Sequence, residues 1–289
     1  MNPVKKIDLH LHCTRTPLPA ADGMSVSTAA EMVPHLEELG IEKAVLMSAG
    51  EADAPLGGNE ANRCICAADP VHFAWMCNPF PAQPGTLRQR LAGYQAQGAV
   101  GVGELMLNRR LDDPLLQELF AAAGELGMPV TFHMSPRVGF GYGVVDDPGL
   151  PLLEKTLQDF PHTLFVGHSQ PFWIEISGDA PTTPEERNAW GKGPVVPGGR
   201  VPELFERYPN LYGDLSANSA GCALMRDPAF GLAFLERYAH RLFFATDMVN
   251  TGMVFPLGAW LDRQYAEGCL SSAAYAAICR ENARRVFGL

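Results

Sequence analysis

The sequence predicts an α/β protein: a (β/α)8 barrel, or TIM barrel, forming a single domain over residues 1–289. Three observations predict it. Eight short apolar runs recur along the chain, most of them are separated by helical patterns, and several end in His, Glu or Asp. Buried runs that alternate with helices pair in parallel, and eight of them suit closure into a barrel of ~250 residues. The rival is an open doubly wound sheet, which usually carries a Gly-rich phosphate loop after its first strand. Here that place is taken by His10-Leu11-His12-Cys13.

The elements follow in order. Residues 7–12 form the first run. Thr28-Ala-Ala-Glu31 reads as a capping box, opening a helix that runs to about residue 39 and stops at Gly40. Pro34 inside that helix threatens a kink. Residues 44–47 and 73–77 are the second and third runs. A helix over 87–97 ends at Gly98, and residues 100–104 are the fourth run. A helix over 115–126 ends at Gly127, and 129–133 are the fifth. Residues 152–160 are helical, 164–168 the sixth run, 211–215 the seventh, 229–238 helical and 242–247 the eighth. Helices near Trp260 and over 274–286 follow. Between the sixth and seventh runs lies a Pro- and Gly-rich insertion, residues 171–199. In a barrel it falls over the C-terminal, active-site face, which makes it a candidate lid; the other reading is a disordered insertion. Trp173 and Trp190 within it favour packing.

A net charge of -10 excludes the basic face that nucleic acid requires. Acidic small substrates stay open, since a bound divalent ion reverses the local field. Seven Cys without a C-x-x-C pair do not read as a secreted disulfide framework; Cys64-Ile65-Cys66 is a weak metal signal. No signal peptide fits ahead of the first run, and no apolar run approaches the ~20 residues of a membrane span. These points predict a soluble cytoplasmic protein acting on a small molecule, with no membrane or nucleic-acid partner. A homodimer is the common default.

The chemistry is written at the strand ends. Strict alternation along residues 7–12 puts Asp8, His10 and His12 on the barrel side and Ile7, Leu9 and Leu11 toward the helices. Two imidazoles two residues apart on one face can chelate one ion, although core packing also explains some H-x-H pairs. Glu104, His133, His168 and Asp247 end four other runs, where a barrel gathers catalytic groups. His and carboxylate ligands suit zinc and other first-row divalent ions. Asp8, lower in the barrel, reads as a supporting group. The other four histidines, His35, His72, His162 and His240, fall in a helix or ahead of strands and read as surface or capping residues. Glu104 is either a ligand or a buried carboxylate paired to Arg109 or Arg110. Arg109, Tyr142, Trp173 and Arg226 are candidate substrate contacts, with Arg110 and Trp75 behind them; the arginines also read as surface salt-bridge residues and the aromatics as core. Asp214, Ser216 and Asn218 follow the seventh run on one face. The segment 139–143, three Gly around Phe140 and Tyr142, reads as a flexible loop able to close over substrate.

Ile7-Asp-Leu-His-Leu-His12, Phe132-His133, Gly167-His168 and Phe244-Ala-Thr-Asp247 together resemble the amidohydrolase superfamily, in its amidohydrolase-related (amidohydrolase 2) branch that also holds metal-dependent decarboxylases. Tyr208-Pro-Asn-Leu-Tyr-Gly-Asp-Leu-Ser216 and Glu281-Asn282-Ala-Arg-Arg-Val-Phe-Gly-Leu289 resemble further segments of that branch. The resemblance implies one or two divalent ions, zinc foremost, held by His10, His12 and Asp247, with His133 on that ion or a second. It implies that His168 is a second-ion ligand or an acid/base group. Many superfamily hydrolases carry a carboxylated Lys at the fourth strand end; this chain has Glu104, which some members use. Two reactions follow. One is hydrolysis of a small-molecule amide, ester or lactone by metal-activated water, with Asp247 and His168 moving protons. The other is non-oxidative decarboxylation of a small carboxylic acid at one ion. A degenerate, non-catalytic barrel is the third reading, disfavoured by the intact ligand-type positions.

Overall fold

The computed structural model describes residues 3–18, 24–51 and 56–289. Met1 and Asn2, from the segment read as leading straight into the first strand, lie outside them. Eight parallel strands surround one axis: β1 (Lys6–Leu11), β2 (Ile41–Leu46), β3 (Phe73–Cys77), β4 (Ala99–Leu105), β5 (Val130–Ser135), β6 (Phe165–His168), β7 (Leu211–Asp214) and β8 (Leu242–Phe243). Each pairs with its successor. Backbone bonds across the β8–β1 seam nearly close the TIM barrel: Leu9 N to Phe244 O (3.0 Å), Asp247 N to His10 O (2.7 Å) and His12 N to Met248 O (2.9 Å). A two-residue strand, Val144–Val145, adds to the end of β5.

The expected eighth run splits at Phe243. The amide of Phe244 leaves the sheet for Ile278 O (2.9 Å), which sits in a π turn of the last helical segment. Beyond it the chain bonds to β1 instead. The capping box is present: Thr28 accepts from the Glu31 amide, and Glu31 accepts from the Thr28 amide at 2.7 Å, worth ~1 kcal/mol. The helix Ala29–Glu38 continues through Pro34. Helices Asn59–Ala68, Arg200–Arg207 and Ala217–Met225 also form. The first buries Asn59 and Asn62, whose amides bond Asn78 O and Met47 O. Its inner face is polar, so no apolar period announces it.

One orientation differs from strict alternation. Ile7 and Leu9 pack with Val45, Met47, Met76, Val166 and Phe243, which come from β2, β3, β6 and β8 and therefore meet inside the barrel. Leu11 joins the outer cluster with Met32 and Leu36 of the first helix. The β1–β2 register slips between Asp8 and Leu11. A bulge there inserts one residue and reverses the alternation. His10 and His12 face inward because of it. Asp8 lies against the seam, where Thr246 donates to it from both N and Oγ1.

The insertion is ordered. It opens with the helix Gln170–Trp173 and carries a second, Pro184–Arg187. Gly213 of β7 makes room for the first, since a Cβ there would meet the Trp173 ring at 3.1 Å. Arg187 is 1% exposed and donates to the carbonyls of Pro136, Asp146 and Asp147. It ties the insertion to the segment after β5. Among the described residues no helix is long and apolar enough to cross a membrane.

Candidate active site and metal centre

Six side chains converge at the C-terminal mouth: His10 and His12 from β1, Glu104 from β4, His133 from β5, His168 from β6 and Asp247 after β8. His10 Nε2 and His12 Nε2 are 3.2 Å apart, and each lies 3.4 Å from Asp247 Oδ1. Glu104 Oε2 is 3.7 Å from both nitrogens. Its other oxygen, Oε1, lies 2.7 Å from His133 Nδ1 and 3.6 Å from His168 Nε2. Asp247 Oδ2 is 3.6 Å from His168 Nε2. Three compact donor groups result: His10, His12 and Asp247; Glu104, His133 and His168; and, deeper, His10, His168 and Asp214.

The outer partners fix the rings. His10 Nδ1 donates to Asp214 Oδ2 at 2.6 Å, which leaves Nε2 free toward the centre. His168 Nδ1 lies 2.8 Å from Ser216 Oγ, so its Nε2 also points inward. Asp214 and Ser216 thus support the cluster from below. Asp247 adopts φ 58°, Ser169 φ 84° and Ala217 φ 52°. Non-glycine residues in this region store ~1–3 kcal/mol each and cluster at functional sites. Gly143 passes so close to His133 that a Cβ would meet the ring at 2.8 Å, and the loop brings Tyr142 over it, ring centroids 4.4 Å apart.

The cluster's charges pull against one another and against burial. Burial opposes charge on His10, yet Asp247 and Asp214 hold its pKa well above the ordinary value. Burial also disfavours the Glu104 carboxylate, but His10 and His133 hold it well below the usual range. Burial, with His10 nearby, depresses His168. Burial raises the Tyr142 hydroxyl to about 12, and the charges of Glu104 and Asp247 add to it. The donor set fits a divalent metal. Ligand atoms ~2.1 Å from a tetrahedral ion stand ~3.4 Å apart, close to the 3.2–3.4 Å spacings of His10, His12 and Asp247. Those spacings are long for hydrogen bonds, and His12 Nδ1 is buried without a partner.

A sequence model of the family described as Amidohydrolase matches residues 7–289. The chain belongs to the amidohydrolase family. It is therefore an enzyme of a metal-dependent superfamily. No curated protein matches this amidohydrolase. Solved structures similar to it include a putative 2-pyrone-4,6-dicarboxylic acid hydrolase from Pseudomonas putida (16% identity, 99% and 98% of the two chains covered, TM-score 0.64). They also include 2,6-dihydroxybenzoate decarboxylase from Rhizobium (17%, 99% and 99%, 0.61). A third is a probable 2-pyrone-4,6-dicarboxylic acid hydrolase from Acinetobacter baumannii with citric acid bound (15%, 99% and 100%, 0.60). At these identities the likeness shows the barrel fold.

The weaker sequence candidates divide. Tyr142 lines a cavity of about 270 Å³ beside the donor cluster, with Phe140, His133, His168 and Asp247. Trp173 does not: it is 1% exposed, and its indole donates to Asp214 O at 3.0 Å, a packing role. Arg109 turns to Asp113 at 3.0 Å, and Arg226 to Lys192 O at 2.9 Å; neither lines the cavity. Trp75 packs on Tyr94, and Arg110 pairs with Asp147. Cys64 and Cys66 join none of the metal-capable groups. Ser135, Gln170, Asn188 and Ser219 line the cavity and escaped the sequence reading. Only Ser135 was within reach, two residues beyond His133 on the same strand face. Gln170 and Asn188 come from the insertion, and nothing in their local sequence marks them.

Proposed function

We propose that this amidohydrolase hydrolyses an amide, ester or lactone bond in a small molecule with two divalent ions, zinc foremost. His10, His12 and Asp247 would hold one ion, and Glu104, His133 and His168 the other. The observation that carries this reading is Glu104: one oxygen faces His10 and His12, the other faces His133 and His168. A single carboxylate facing both sets is what a bridge between two ions requires. Bound ions polarise the scissile carbonyl and bring the attacking water to a pKa of about 7.

The chain's own groups do the rest. Asp247 takes the proton from the water at its free carboxylate oxygen and returns it to the leaving group. His168 turns Nε2 toward Glu104 and Asp247, where it would serve the second ion. Asp214 and Ser216 fix the His10 and His168 rings through Nδ1, an orientation that typically matters 10–100-fold to metal affinity. Tyr142 and Phe140 wall the cavity and exclude water from the reacting bond.

Decarboxylation at one ion is the second reading. Its support is the likeness to the Rhizobium decarboxylase, which is about as strong as that to the hydrolases. Metal content per chain, measured on protein purified without chelator, separates the two. The proposal expects about two ions in the wild type and one or none in Glu104→Ala. One ion, unchanged in the variant, overturns it and makes decarboxylation the leading reading.

A further inference from the structure

We infer that the cavity beside the donor cluster takes an uncharged, hydroxyl-bearing ring, with Gln170, Asn188 and Tyr142 as its specificity-determining contacts. The inference rests on the hydrolase reading above, because a decarboxylase acts on a ring that carries a carboxylate.

The cavity, about 270 Å³, falls below the ~300–1,000 Å³ of sites for drug-sized ligands, so it suits a single ring. Its walls hold no Lys or Arg. The cations around it are engaged elsewhere: Arg109 with Asp113, Arg110 with Asp147, Arg187 with three buried carbonyls, Arg226 with Lys192 O. Arg137 stacks on Phe140, 5.4 Å from the ring centroid, outside the lining. Positions 19–23 and 52–55 contain neither Lys nor Arg. Strong recognition of a carboxylate relies on charge-assisted, often bidentate donors, and a charge left unpaired in a pocket is costly.

What the walls offer instead is neutral and two-sided. Gln170 and Asn188 carry amides that both donate and accept, and Ser135, Ser219 and Tyr142 carry hydroxyls. Among the described residues the side-chain polar groups of Gln170, Asn188 and Tyr142 make no hydrogen bond, whereas those of Ser135 and Ser219 each bond a backbone carbonyl. Hydroxyl groups on a ligand match such partners in both senses. The faces of Phe140 and Tyr142 supply an apolar wall for the ring.

The test uses D-glucono-1,4-lactone and D-glucaro-1,4-lactone, which share a ring and differ in a terminal carboxylate, on the metal-loaded full chain. The expected kcat/KM favours the neutral lactone by at least about tenfold. Asn188→Arg, at an exposed position, shifts the ratio toward the carboxylate by about tenfold. Arg137→Ala leaves it unchanged. A wild-type preference for the glucaro-lactone overturns the inference while leaving hydrolysis standing. If neither lactone is turned over, the hydrolase reading loses its support, and calorimetry with the two corresponding lactams decides the inference alone. Tighter binding of the neutral lactam supports it. Equal, weaker or no binding of the neutral lactam overturns it.

Discussion

Two buried polar clusters at the mouth of this barrel are built in opposite ways. Around Arg187 the donors end on backbone: its guanidinium reaches three carbonyls, and Asp146 accepts from the amides of Asp147, Leu152 and Leu153. Around Glu104, beyond its one 2.7 Å bond to His133, the side chains face one another across 3.4–3.7 Å gaps. The first cluster satisfies its polar groups internally except for Arg187 Nε, which has no partner among the described residues, and it holds a loop in place. The second leaves convergent lone pairs incompletely satisfied, which costs stability unless something binds there. Satisfied networks give shape; unsatisfied, convergent ones give chemistry.

The comparison can be broken by substitution. Asp247→Asn is expected to lower kcat by about 10³-fold, with the thermal midpoint of the metal-free protein unchanged or raised; a large drop in that midpoint makes Asp247 structural. Arg187→Met, judged by urea unfolding, leaves its three carbonyls unpaired and is expected to cost about 3 kcal/mol. A near-neutral result would mean that the insertion is held by packing alone. Asp214→Asn should weaken metal binding by about 10–100-fold in chelator competition, because an Asn oxygen that keeps the Ser216 amide turns its NH2 to His10 Nδ1 and imposes the other tautomer. Trp173→Phe, which removes one indole bond to Asp214 O, should cost about 1 kcal/mol without changing metal content. At the small end, Arg226→Ala should leave kcat/KM within about twofold and stability within about 0.5 kcal/mol.

The barrel was legible because each strand is a short apolar run, and the candidate site because its members end those runs in His, Glu or Asp. What escaped has physical reasons. The bulge in β1 cannot be read from Ile7-Asp8-Leu9-His10, whose alternation is perfect on paper; only the slipped pairing with β2 reveals that Leu9 and His10 both turn inward. Trp173, from its place beyond β6, could be read as a pocket wall or as core. The backbone turns at Ser169, φ 84°, and the space over Gly213 admits the indole to the core. Arg109 and Arg226 could be read as substrate contacts or as surface salt-bridge residues, and their partners, Asp113 and the Lys192 carbonyl, carry no signal until the loops are folded. Asn188 is brought to the cavity by its neighbour Arg187, whose anchors lie some forty and fifty positions earlier.

The seam between β8 and β1 has a consequence for when the centre forms. Asp8 and Thr246, 238 positions apart, hydrogen-bond where the two ends of the barrel meet, and Asp247 follows at once. One donor set therefore combines residues from both sides of the seam and is incomplete in every partly folded intermediate with an open barrel. An ion that binds through His10, His12 and Asp247 binds late, after the longest-range contact in the sheet. Capture of a coloured or paramagnetic divalent ion during refolding then serves as a clock for barrel closure, reading the final step rather than the collapse that precedes it.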